Sequence, residues 1–157
     1  MQIAFYKASR GTFTDKLIGW WTRPSFWKFW ESGLYSHVEI LFPNNICFSA
    51  SPRDGGTRWK EIDDIYTSGN WDIVYVGMEN REAQLKLQCN KDEGKKYDWM
   101  CIFLTFVFPF DIHEPHRFTC SEYVSNRVFN LPHASRYSPN GLARILNYAL
   151  SINTKKI

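Results

Sequence analysis

A chain of 157 residues with 44% hydrophobic and 22% charged residues is long enough to bury one sizeable core without crosslinks. Its formal net charge of +3 comes from Lys and Arg interspersed with acids, which gives nucleic-acid binding no electrostatic support. Four cysteines without a C-x-x-C pair point to a reducing compartment rather than a disulfide framework.

No repeat, low-complexity tract or linker divides the sequence, so residues 1–157 are expected to form a single mixed α and β domain. Ile3 to Ala8 reads as a first strand, after which Thr12 or Thr14 caps a short helix through Asp15, Lys16, Leu17, Ile18 and Trp21, stopped by Pro24. An aromatic cluster follows, with Trp20, Trp21, Phe26, Trp27, Phe29 and Trp30. Side chains of this size fill cores and also line binding grooves, which makes Trp27, Trp30 and the nearby Tyr35 substrate-binding candidates.

Ser36 to Phe42 and Ile46 to Ala50 are rich in β-formers and are separated by Pro43, Asn44 and Asn45, the chemistry of a β-hairpin. Strand candidates follow at Thr57 to Ile62 and Trp71 to Val76. A helix is expected from Glu79 to about Asp92, with Gly94 as its stop. The apolar run Trp99 to Phe110 falls short of the roughly 20 residues that span a bilayer and reads as a buried segment. A helix begins near Thr119 and continues through CSEYVSNRVFNL, and a last amphipathic helix runs from Ser138 with Pro139 at its first position. The N-terminus MQIAFYKASR has no apolar h-region, so a cytoplasmic protein without signal peptide or membrane span is expected.

Thr119-Cys120-Ser121-Glu122 fits a capping box, which places Cys120 at the first helical position. Free amides and the positive end of the helix dipole favour a negatively charged sulfur there, and the same amides suit an oxyanion. Of the four histidines, His37 alone lies on an expected strand, where a rigid element holds its imidazole as a general base.

The pattern YSHVEI (Tyr35 to Ile40), FSAS (Phe48 to Ser51), YDW (Tyr97 to Trp99) and FTCSEYV (Phe118 to Val124) resembles the circularly permuted branch of the NlpC/P60 superfamily, the YiiX-like proteins related to lecithin:retinol acyltransferase. In that branch the histidine strand precedes the cysteine helix, the order of His37 and Cys120 here. The resemblance implies a papain-like α+β fold, an antiparallel sheet or partial barrel packed against the cysteine helix. It also implies a thiol peptidase or amidase, without cofactor or metal, attacking an amide, ester or thioester carbonyl. Its substrates would be peptides or lipid amides. A monomer with peripheral membrane contact is expected, and the compact, module-free chain suits a bacteriophage or bacterial protein. Relatives place a polar residue on the strand after the histidine strand, which here is Ser49. Glu39 is the rival orienter, since i+2 on a strand shares the face of His37, about 7 Å away at the backbone. Two other readings stand beside the hydrolase. His113, His116 and Cys120 are closely spaced, and Cys101 or another residue would complete the four ligands of a zinc site, against which Pro115 interrupts the segment and no C-x-x-C pair accompanies it. A non-catalytic binding or host-interaction protein, or a lipid acyltransferase, is the other.

Overall fold

The computed structural model describes residues 1–13, 15, 16, 19, 35–101 and 116–154. Seven strands form one sheet: β1 (Gln2–Lys7), β2 (Tyr35–Leu41), β3 (Ile46–Ser51), β4 (Gly56–Glu61), β5 (Trp71–Tyr75), β6 (Lys96–Tyr97) and β7 (Arg117–Phe118). Their order is β5-β1-β2-β3-β4-β6-β7. Every pairing is antiparallel except the last, β6 with β7. Three α-helices accompany the sheet among the described residues, α1 (Glu82–Asp92), α2 (Cys120–Arg127) and α3 (Pro139–Thr154). The fold is therefore α+β with a mixed sheet. No helix among the described residues is long and apolar enough to cross a membrane.

The central strands β1 and β2 carry apolar side chains on both faces, so both faces are covered. Ile3 pairs with Ile40 and Phe5 with Val38, and these four join Phe48, Ala50, Tyr123, Val124 and Leu142 in the larger core. The alternate residues Ala4, Leu41 and Cys47 meet Ile65 in a smaller core. The expected hairpin forms as β2 and β3, joined through Pro43–Asn45, where Asn44 (φ 62°) and Asn45 (φ 58°) take the left-handed conformation that Asn tolerates. The two strands pair only at Ile40↔Phe48 and Leu41↔Cys47. One step further the Val38 carbonyl accepts the Ser49 hydroxyl at 2.6 Å, so a side chain continues the ladder where the strands part.

The expected helix from Glu79 is a short 3-10 turn (Glu79–Arg81) followed by α1. The cysteine helix ends at Arg127, short of Leu131. Asn130 adopts φ 50°, and the Leu131 amide donates back to the Ser125 carbonyl at 3.0 Å, a left-handed termination that Asn supports. The two-residue strands β6 and β7 are too short to carry a period-2 signal.

α2 packs on β2 and β3, and Asp92 at the end of α1 ties it in place. The Asp92 carboxylate, 2% exposed, accepts from Arg127 Nε at 2.9 Å, the Tyr123 hydroxyl at 3.2 Å, Gln88 at 2.9 Å and Lys95 Nζ at 2.6 Å. The Asp92 backbone carbonyl accepts the Thr57 hydroxyl from β4. A Cβ at Gly56 would lie 1.9 Å from the Lys95 carbonyl oxygen, so this close approach of β4 to the segment after α1 requires glycine.

Burial alone would raise the Asp92 pKa, but Lys95, Gln88 and Arg127 outweigh it and hold the carboxyl below its usual range. Asp92→Asn leaves Arg127 and Lys95 short of a charged partner and is expected to cost about 3 kcal/mol in urea unfolding at neutral pH. A native pKa below the unfolded value of 3.8 makes the wild-type advantage full above that value. It disappears as pH falls through the depressed native value, so unfolding curves for the two proteins should converge in acid.

Candidate active site

The start of α2 is built by a reciprocal cap. The Thr119 hydroxyl accepts the Glu122 amide at 3.3 Å, and Glu122 Oε2 accepts the Thr119 amide at 3.1 Å. This uses two of the backbone donors at the helix end and fixes Cys120 at the first helical position.

His37 and Glu39 project from the same face of β2, and their side chains turn toward each other: His37 Nε2 and Glu39 Oε1 are 2.8 Å apart. The His37 side chain is 16% exposed and that of Glu39 only 1%. Burial alone would lower the pKa of His37. Attraction to Cys120, then to Glu39, with side-chain hydrogen bonding to both, overrides burial and raises it to about 10. The sulfur and the carboxylate thus act on one imidazole, whose Nε2 meets Glu39. Glu39 moves the other way. Burial would raise its pKa, but His37 and then Arg58 bring it below the usual carboxylate value.

Arg58 on β4 completes the arrangement. Its Nη1 donates to Glu39 Oε2 at 2.8 Å and its Nη2 to Glu39 Oε1 at 2.6 Å, while Nε donates to Asp54 at 2.8 Å. His37, Glu39 and Arg58 line a cleft of about 140 Å³ together with Tyr97, Tyr6 and Trp71. Tyr6 and Trp71 meet edge to face with centroids 5.0 Å apart. Tyr97 is buried, and burial followed by the nearby Cys120, Cys101, Glu122 and Asp98 raises its pKa, so it presents a protonated hydroxyl. Cys120 is 4% exposed and is not one of the residues that line this cleft.

The structure separates the two candidate orienters. Glu39 contacts the imidazole, whereas the fully buried Ser49 gives its hydroxyl to the Val38 carbonyl and does not orient His37. Tyr35 is not a cleft residue: its hydroxyl donates to Asp72 at 2.7 Å, its ring packs on Phe5, and its amide donates to Asn140. Trp27, Trp30 and the rest of the aromatic cluster at 20, 21, 26 and 29 lie outside the described residues, as does His113.

Asp98, Cys101 and Glu122 bring ligand atoms within 4.8 Å of one another. Asp98 Oδ1 already accepts the Cys101 amide at 2.8 Å and Glu122 serves the helix cap, so the described contacts of these two carboxylates are structural. Arg58 and Tyr97 are the residues that sequence reasoning missed. Tyr97 falls in the YDW motif without a role assigned to it, and Arg58 sits in an ordinary strand pattern whose partner is two strands away.

Glu39→Gln removes a charge that raises the His37 pKa, so the His37 titration followed by NMR should fall from about 10 toward the ordinary 6.5. The linked stability has a definite sign. A His pKa raised in the folded state stabilises fully below 6.5 and loses that contribution as pH rises through about 10. Wild type should therefore lose its advantage over the variant at the alkaline end as His37 deprotonates.

No protein-family model, curated protein or solved structure matches the chain.

Proposed function

We propose that this protein is a cysteine hydrolase of the permuted papain-like type, with Cys120 as nucleophile, His37 as general base and Glu39 as the group that orients the imidazole. One arrangement carries the reading: a cysteine at a capped helix N-terminus acts on an imidazole whose Nε2 is held at 2.8 Å by a buried carboxylate. A cysteine placed only for packing has no need of such a partner.

In this mechanism His37 takes the Cys120 proton and the sulfur attacks the carbonyl carbon of an amide, ester or thioester. The negative oxygen of the tetrahedral intermediate takes hydrogen bonds from the Cys120 amide and from the protonated Tyr97 hydroxyl, which is buried beside the sulfur. His37 then returns the proton to the leaving group, and water activated by the same imidazole cleaves the thioester. The cleft walls Tyr6 and Trp71 suit an aromatic or aliphatic portion of a peptide or lipid-amide substrate. A cytoplasmic protein acting as a monomer, with peripheral membrane contact where the substrate is a lipid, completes the proposal.

A non-catalytic binding protein on the same fold is the second reading, favoured by the 4% exposure of Cys120. Alkylation by iodoacetamide, resolved by cysteine with mass spectrometry, separates the two. Burial pushes the Cys47 and Cys89 thiols up to about 12, so those two should stay unmodified at neutral pH while Cys120 reacts first. His37→Ala should slow Cys120 alkylation at least about tenfold, in keeping with the loss of a general base. Equal slow reaction of all four cysteines in the native protein would favour the non-catalytic reading.

A further inference from the structure

We propose that Arg58 is a positioning residue of this site, its guanidinium fork fixing the Glu39 carboxylate and, through it, aiming the His37 imidazole at Cys120. The inference rests on the cysteine hydrolase reading and deepens it by extending the constellation to a second strand pair.

The geometry is that of a clamp. Both Glu39 oxygens accept from Arg58, at 2.8 and 2.6 Å, and Oε1 also meets His37 Nε2 at 2.8 Å. The oxygen that holds the imidazole is thus one of the two held by the fork. Two parallel bonds to a planar guanidinium set the carboxylate plane as well as its position, which a single point charge cannot do. The fork is itself anchored from behind, because Arg58 Nε donates to Asp54 at 2.8 Å.

Strand register makes the reach feasible. Ile40 pairs with Phe48 and Ser49 pairs with Arg58, so Glu39, Ser49 and Arg58 stand in one row across β2, β3 and β4. Adjacent strands are about 4.8 Å apart, and Arg58 must cross two such spacings to meet Glu39. The residue between them is a serine, a short side chain whose hydroxyl is bonded to the Val38 carbonyl. Glu39 also lies two residues from His37 on one strand, and its carboxylate has free torsions of its own. Without the fork those torsions compete with the contact to Nε2.

Neutralising charge and fixing geometry make different demands. Lysine at position 58 keeps the charge and loses the fork, whereas glutamine loses the charge. The test compares wild type with Arg58→Lys, Arg58→Gln, Asp54→Asn and His37→Ala in three measurements: the rate of Cys120 alkylation by iodoacetamide against pH, the downfield NMR resonance of the His37 Nε2 proton bound to the carboxylate, and the Tm.

Arg58→Lys and Arg58→Gln should each slow Cys120 alkylation by about tenfold to a hundredfold, the range seen when outer-shell partners are removed. Both should weaken or lose the Nε2 resonance, and Arg58→Lys should keep a Tm close to that of wild type. Asp54→Asn is expected to give a smaller loss in the same direction, and it carries the test together with Arg58→Lys should Arg58→Gln fail to fold. Wild-type alkylation and an intact Nε2 resonance in Arg58→Lys would overturn the proposal while leaving the Cys120–His37 pair standing. Wild-type alkylation in His37→Ala would instead overturn the pair, and the role of Arg58 with it.

Discussion

A carboxylate buried in the middle of a sheet governs this molecule. Glu39 is 1% exposed on a central strand, and an ionised group so placed costs several kcal/mol unless opposite charge and hydrogen bonds compensate. Compensation comes from His37 on the same strand and Arg58 from β4. β2, β3 and β4 must therefore hold one register, because a slip by a single residue would turn Arg58 to the other face and strand the charge. The larger core requires the same register, since Ile40, Phe48 and Ala50 then face the α2 side chains Tyr123 and Val124. Packing and charge compensation select one alignment, with the apolar residues of β2 turned to α2 and His37 and Glu39 on the alternate positions.

The site is thereby assembled from two stable pieces rather than from loops. One is the Glu39–Arg58 row of the sheet, and the other is α2, capped by Thr119 and Glu122 at its start and held by Asp92 through Tyr123 and Arg127. Cys120 is the first residue of that helix. An imidazole beside a carboxylate and a sulfur is held toward its protonated form, against the pull of burial.

Local chemistry was legible in the sequence and cross-strand chemistry was not. The hairpin, the capping box and the α3 start at Pro139 follow from neighbouring residues, and each lies close to its expected place. The same-face relation of His37 and Glu39 follows from strand periodicity alone. The choice between Glu39 and Ser49 does not, because it depends on Arg58, nineteen positions beyond Glu39 in the chain and aligned only by a register that no single strand reveals. The end of α2 was misjudged for a related reason. The apolar residues after Arg127 continue a helical period, but Asn130 turns left-handed and Leu131 folds back onto Ser125, an outcome decided by what those residues pack against.

Ser49 shows how a residue can matter to this site without touching the imidazole. As an orienter it would have needed its hydroxyl free, and the Val38 carbonyl has taken it. That bond does two things at once. It satisfies a backbone acceptor exactly where β2 and β3 stop pairing, and it keeps the middle position of the row small enough for the Arg58 side chain to pass over it to Glu39. The parting of the two strands also places His37 beyond Ile40, the last β2 residue paired with β3, while it still pairs with Tyr6 of β1. Where the β2–β3 ladder gives way, side-chain bonds take over, Ser49 to the Val38 carbonyl and Arg58 to Glu39, so the three strands stay joined across the break by the same groups that fix the carboxylate beside His37.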